Sequence, residues 1–340
     1  MSVLEVEHLQ VAYRDRTGAA PVQTVRDVSF RVAEGGSLGI VGESGCGKSQ
    51  TVLAVLGLLG HEGAEVSGRI SFDGRDLTRL TPKQLREVRG SGIALVSQDA
   101  LSALNPAMTI GRQMAEPLIR YDGYGRRAAV ARCAELLDLV GIPGPRERLR
   151  SHPHQLSGGM RQRVLIAMAV SREPRLLIAD EPTTALDVTI QAQVLGLIDR
   201  LRRELRTALV LITHDLGVVA GVTDHIAVMY GGRIVESAPT TELFDHPAHP
   251  YTRALMASVP RMDRQVDRLP AIPGFPPHPA SPLPGCAFQP RCAEARPDCA
   301  DSVPLLIAAP GAPAADSAHE VRCPYPAPAA GEPHPAGAPA

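Results

Sequence analysis

Tryptophan is absent from this 340-residue chain, and aromatic residues make up 3% of it, so aliphatic side chains must build its core. Net charge is nearly absent as well, at −1. Without a global field to hold a polyanion, nucleic acid is a poor partner, although a local basic patch is compatible with the balance. Lysine is confined to Lys48 and Lys83, and every other basic residue is arginine, a bias we read as coding composition. No apolar run is long: the longest, 52–60, is too short to cross a bilayer. The opening MSVLEVEHLQ has neither the basic nor the apolar region of a secretory signal. The chain is therefore expected in the cytoplasm, with any membrane role reached through a partner.

The remaining composition is ordinary for a globular protein, 44% apolar and 21% charged, and the length fits about two domains. Proline divides the chain: 12 of its 31 prolines precede Pro260 and 19 lie from Pro260 onward. Because proline removes a donor and fixes φ, the C-terminal part cannot be mostly helix or central strand. A boundary is expected near 236–260, and the Pro/Ala/Gly-rich end beyond Pro324 is expected to be disordered. No internal repeat is visible. The first part alternates strand patterns (4–13, 25–32, 37–41, 68–72, 93–96, 176–179, 208–212) with helix patterns (48–59, 109–120, 126–140, 158–171, 190–205). Short buried strands separated by helices predict a mostly parallel sheet covered on both faces.

The strongest motif is Gly42-Glu-Ser44-Gly45-Cys46-Gly47-Lys48-Ser49, which fits G-x4-G-K-[ST] between an apolar strand and a helix. Small residues let the backbone curl so that successive N–H groups face phosphate oxygens, and the helix adds its positive end. Lys48 would neutralise β/γ-phosphate charge, Ser49 would ligate Mg²⁺, and Cys46 reads as a small spacer. The apolar strand ending at Asp180-Glu181 would deliver Asp180 to the Mg²⁺ shell and aim Glu181 at the attacking water. Alone that pair carries little; after a phosphate loop it carries much. Ser157-Gly158-Gly159 at a helix start is a second anion-binding terminus.

The string Leu156-Ser157-Gly158-Gly159-Met160-Arg161-Gln162-Arg163 resembles the signature motif of ATP-binding cassette (ABC) ATPases. The other family motifs follow in order: Gln98 resembles the Q-loop glutamine, Ala185-Leu186-Asp187 the D-loop, and His214 the switch histidine. Tyr13 resembles the aromatic that stacks on adenine, although a strand tyrosine also serves packing, and His214-Asp215 alone would read as a helix cap. The resemblance implies an α/β P-loop fold with a mostly parallel core sheet, an antiparallel β subdomain, a helical signature subdomain and a Pro/Cys-rich C-terminal extension. It implies an ATPase domain over 1–236, an extension over 237–325 and a disordered tail over 326–340. It further implies catalysis by Glu181, His214 and Gln98, and Mg²⁺ held by Ser49, Gln98 and Asp180. ATP contacts would come from Tyr13, from Gly42, Ser44, Gly45, Cys46, Gly47, Lys48, Ser49 and Gln50, and from Ser157, Gly158, Gly159, Gln162 and Asp187. Two such domains would pair head to tail, the signature of one closing on the nucleotide of the other.

Gly47-Lys-Ser-Gln50-Thr51, Ala185–Gln193, Thr213–Val219 and Leu104-Asn105-Pro106 resemble the oligopeptide/dipeptide importer branch, as do His249-Pro-Tyr-Thr252, Ile272-Pro-Gly274 and Gly285–Cys292. Ser97 and Ala100 depart from the branch pattern around the Q-loop. The resemblance implies ATP hydrolysis that powers peptide import, or nickel or another small solute as an alternative. The implied partners are two membrane permease subunits, a second ATPase (a copy or a paralogue) and an extracytoplasmic solute-binding protein, with the chain peripheral on the cytoplasmic face of the inner membrane. A non-transport ABC ATPase acting on ribosomes or DNA is disfavoured by the single cassette, the lack of a coiled-coil run and the neutral charge. Of six cysteines, Cys286, Cys292, Cys299 and Cys323 fall in the last fifth of the chain. Their clustering, and relatives of the branch, imply a [4Fe–4S] cluster, with Zn²⁺ or free buried thiols as alternatives.

Overall fold

In the computed structural model, residues 1–14, 21–59, 63–184, 186–259, 271–311 and 318–327 are described. Ala185 and most of the expected tail, 328–340, lie outside them. The strands, in chain order, are β1 (Ser2–Tyr13), β2 (Val22–Ala33), β3 (Ser37–Val41), β4 (Ala64–Phe72), β5 (Arg75–Asp76) and β6 (Ile93–Val96). They continue with β7 (Leu176–Asp180), β8 (Ala208–Thr213), β9 (His225–Tyr230), β10 (Arg233–Pro239), β11 (Ile307–Ala308) and β12 (Glu320–Val321). No helix among the described residues is long and apolar enough to cross a membrane.

The chain forms two compact units. One comprises Met1–Leu4, Val32–Gly36 and Arg79–Ile212. Its sheet runs β8-β7-β6, all parallel, with Leu177 opposite Leu209 and Ala94 opposite Leu177. All six residues of β8 and the first four of β7 are buried, which is why these strands read as unbroken apolar runs. The helices Ile110–Tyr121, Arg126–Leu139 and Gly158–Val170 follow the expected pattern, with Met114, Leu118, Cys133, Leu136, Leu137 and Val164 buried. Thr109 caps the first of them.

The other unit comprises Glu5–Arg31, Ser37–Thr78 and Thr213–Ala340. Its larger sheet runs β11-β12-β10-β9-β3; β3 and β9 are parallel, and the remaining pairs are antiparallel. A second sheet, β2-β1-β4-β5, belongs mostly to this unit. The helix expected over 48–59 ends at Val55, because Gly57 turns out of helical geometry at φ 61° and Leu58 N–H bonds back to Leu53. β4 begins at Ala64, earlier than its apolar pattern, because its first half is exposed and polar. Beyond residue 270 the described chain contains two 3₁₀ turns and two two-residue strands.

Candidate functional site

β3 runs fully buried into the loop 42–47, and the helix Lys48–Val55 follows. Gly42 is sterically required: a Cβ there would lie 2.2 Å from Met229 O and 2.9 Å from Cys46 Sγ. Gly47 sits at φ 105°, and a Cβ would lie 2.6 Å from Thr24 O. Lys48 is 5% exposed, and its Nζ donates to Gly42 O at 2.6 Å and Glu43 O at 3.1 Å, with Cys46 Sγ at 3.8 Å. Among the described residues no carboxylate pairs with this buried ammonium. Burial pushes the Cys46 thiol up despite the ammonium beside it, so it stays a neutral spacer. No side chain caps the helix at Gly47, whereas Thr109, Ser157 and Asp187 cap theirs. An uncapped helix start beside an unpaired buried cation fits a polyphosphate. Ser44, Gly45 and Ser49 are exposed at this loop. Tyr13 donates its phenol hydrogen to Gln50 Oε1, which ties the expected adenine contact to the helix after the loop.

In the first unit, β7 ends on Asp180, and Glu181 follows at φ 46°, unusual for a residue with a Cβ. Glu181 N–H is held by Ile212 O at 2.9 Å. Its Oε2 accepts from Gln98 Nε2 at 3.1 Å and Thr184 Oγ1 at 2.9 Å, so the Q-loop glutamine and the expected water-polarising carboxylate meet. Ser157 Oγ accepts from Met160 N–H and caps the helix Gly158–Val170, with Ser157 and Gly158 exposed. Gly159 packs so closely that a Cβ would stand 2.9 Å from Ile190, while Asp187 caps the helix Val188–Leu205 that carries Ile190. Gln162 is buried, and its Nε2 finds no partner among the described residues. In the second unit, His214 is exposed directly after β8, and Asp215 takes the capping role for the short helix Leu216–Ala220.

The cysteine expectation is overturned. Cys286, Cys292, Cys299 and Cys323 do line one cavity, with His249 and Phe288, and all six cysteines of the chain are free thiols. The cavity measures about 20 Å³, room for about one water molecule and far less than an iron–sulfur cube. Among the described residues no group of three or more His, Cys, Asp or Glu side chains is placed to hold a metal ion, so neither [4Fe–4S] nor Zn²⁺ is supported. Burial pushes the Cys286 and Cys292 thiols up and Cys323 to about 12, so without a metal these side chains are neutral thiols. A Pro-rich segment with little core was expected to need a metal tie. It is tied instead by Arg291, by the backbone bond from Cys286 N–H to Cys299 O at 2.8 Å, and by aromatic packing. Phe288 lies 5.3 Å from both Tyr230 and Tyr251, whose rings are 4.6 Å apart.

Glu43, Tyr251 and Arg291 are residues at the loop that the sequence motifs did not assign. Glu43 pairs with Arg291, 248 positions away, and its N–H donates to Tyr251 Oη at 3.0 Å. A carboxylate inside the phosphate loop was visible in the sequence; its partner was not.

The strand–loop–helix geometry and the buried lysine define a phosphate-loop ATPase. Residues 25–184 match the family described as ABC transporter, and residues 235–299 the family described as oligopeptide/dipeptide transporter, C-terminal region. The chain is 50% identical over 291 residues to the dipeptide transport ATP-binding protein DppD of Bacillus subtilis, covering 85% of this chain and 86% of that one. It is 45% identical over 309 residues to the oligopeptide transport ATP-binding protein OppD of Salmonella typhimurium, covering 91% of each. A solved ATP-binding cassette, dimeric in a post-hydrolysis state with ADP and Pi, aligns with TM-score 0.62 and 26% identity over 70% of this chain and 98% of that one. The chain belongs to the ABC transporter ATPases, in the branch that carries the oligopeptide/dipeptide transporter C-terminal region. ATPases of this family bind ATP with Mg²⁺.

Proposed function

We propose that this chain hydrolyses ATP to power import of oligopeptides or dipeptides through a partner membrane permease. The observation that carries the nucleotide site is the buried Lys48 ammonium, held by two backbone carbonyls at an uncapped helix start. The peptide cargo is supported by the C-terminal region match and by relatives named as dipeptide and oligopeptide transport ATP-binding proteins.

On this reading Lys48 and the N–H groups of Ser44, Gly45, Gly47, Lys48 and Ser49 cradle the β- and γ-phosphates, and Tyr13 offers its ring to adenine, steadied by Gln50. Ser49, Asp180 and Gln98 would hold Mg²⁺, which when bound offsets the charge of the β- and γ-oxygens. Glu181 orients and polarises the attacking water, with Gln98 and Thr184 fixing its carboxylate. His214 contacts the γ-phosphate side. Ser157, Gly158 and Gly159, with Gln162 and Asp187 behind them, close on the nucleotide of a second ATPase subunit, identical or paralogous. The nucleotide-binding body spans 1–236 and the extension 237–325. The complex contains two permease subunits and an extracytoplasmic solute-binding protein, and this chain sits on the cytoplasmic face of the inner membrane.

The test is reconstitution with its permease and binding protein in vesicles. Peptide uptake that requires ATP, and that stops with Lys48→Ala, is expected. ATP hydrolysis stimulated by nickel but by no peptide would replace the cargo, and a chain that binds no ATP would defeat the reading.

A further inference from the structure

Glu43, the residue after Gly42, is held at three points. Its N–H donates to Tyr251 Oη at 3.0 Å, and its carbonyl accepts from Lys48 Nζ at 3.1 Å. Its carboxylate takes a fork of two charge-assisted bonds from Arg291, Nη1 to Oε2 at 2.6 Å and Nη2 to Oε1 at 3.0 Å. The Arg291 side chain is 5% exposed and that of Glu43 26%.

Arg291 is itself immobilised. Its Nε donates to Pro273 O at 2.8 Å, its Nη1 also reaches Tyr230 Oη at 3.2 Å, and its Nη2 also reaches Ile272 O at 3.4 Å. These acceptors, with the two carboxylate oxygens, match the five N–H donors of a guanidinium. Arg291 therefore has nothing left to offer a phosphate, and its work is done through Glu43. Tyr251 is fully buried, and burial raises its phenol well above the usual range, so it stays neutral beneath the loop. Both residues come from the segment that matches the C-terminal region, 235–299. The peptide they grip supplies a carbonyl that positions the Lys48 ammonium.

We propose that the C-terminal segment is the positioning element of the phosphate loop: Arg291 and Tyr251 clamp Glu43, and the clamped Glu43 carbonyl sets where Lys48 meets a nucleoside polyphosphate. The proposal rests on the reading of residues 42–49 as the nucleotide site. It makes ATP affinity depend on a segment that other ATP-binding cassettes of shorter span need not contain. Arg291 and Tyr251 are positioning residues, since neither is free to touch the nucleotide.

The test uses the full chain and measures ATP binding by titration calorimetry, alongside KM and kcat for ATP in the reconstituted transporter. Arg291→Gln and Glu43→Gln are each expected to weaken ATP binding about tenfold, the weight of a charged hydrogen bond. The double variant is expected to be no weaker than either single one, because both remove the same contact. KM should rise with kcat nearly kept, and Arg291→Lys, which can still reach one carboxylate oxygen, should recover part of the affinity. Losses that multiply in the double variant, or unchanged ATP affinity in folded single variants, would overturn the proposal. If Arg291→Gln does not fold, Tyr251→Phe decides, since it removes one hydroxyl: unchanged affinity overturns the clamp and weakened affinity supports it. Wild-type protein that bound no ATP would instead defeat the nucleotide-site reading.

Discussion

Gln98 and Glu181, 83 residues apart in sequence, meet side chain to side chain at 3.1 Å. Thr184 Oγ1 binds the same carboxylate oxygen, and the Glu181 backbone sits in the left-handed region at φ 46°. Such a backbone costs ~1–3 kcal/mol and persists where its surroundings over-determine it; here Ile212 O holds its N–H. The carboxylate is aimed by contacts that would be unnecessary for a merely solvated acid.

Glu181→Gln should therefore keep ATP binding and lower hydrolysis by about a hundredfold or more, the usual weight of a positioned general base. Single-turnover hydrolysis beside equilibrium binding checks this. Wild-type turnover in the assembled transporter would remove Glu181 from its assigned role.

Two glycines should respond with opposite signs. Gly42→Ala places a methyl 2.2 Å from Met229 O, so the loop must move; a stability loss of ~1–3 kcal/mol and weaker ATP binding are expected. Gly196 lies exposed within the helix Val188–Leu205 with nothing within 4 Å of a Cβ, so Gly196→Ala should stabilise by ~0.5–1 kcal/mol. Denaturant melts of the two variants against wild type read both signs.

Ser157 has two separable roles. As a helix cap its loss in Ser157→Ala should cost ~1 kcal/mol of stability. On the head-to-tail pairing proposed above, Ser157→Cys should crosslink to a cysteine placed in the second subunit's phosphate loop, faster with ATP present. Crosslinking indifferent to ATP would count against the head-to-tail pairing.

Acid should destabilise the junction around β10. Burial, with a smaller contribution from the charge of His319, pushes His225 down to about 4. Burial, with a smaller contribution from the charge of Arg253, pushes His249 down to about 4, against the attraction of Glu236. His249 Nδ1 accepts from Tyr251 N–H, so its buried Nε2, which makes no hydrogen bond among the described residues, carries the hydrogen in the neutral ring. Both histidines are neutral when folded and protonate near 6.5 when unfolded, so the unfolded chain binds more protons between pH 6.5 and 4. Their stabilisation is full above 6.5 and falls through that window by up to ~1.4 kcal/mol per pH unit for each histidine. His249→Asn, which keeps an acceptor for Tyr251 N–H, should flatten the fall; an equally steep profile in that variant would show that His249 is not responsible.

The sequence by itself determined most of what has a contiguous signal, apart from ends such as Val55, where the helix stops short of its apolar run. The phosphate loop, the Ser157 cap, the strand ending at Asp180 and the parallel core strands are local patterns of steric need and burial, and they stand where the chain placed them. Tertiary structure decided what depends on residues far apart. Spacing alone could cluster Cys286, Cys292, Cys299 and Cys323, but the room between them is set by packing, and it holds about one water. The arginine that grips Glu43 lies 248 positions away in a proline-rich segment with no periodicity to mark it. The pair exists because folding takes the Arg291 guanidinium out of water, and the half-buried Glu43 carboxylate then meets it as its charged hydrogen-bonding partner.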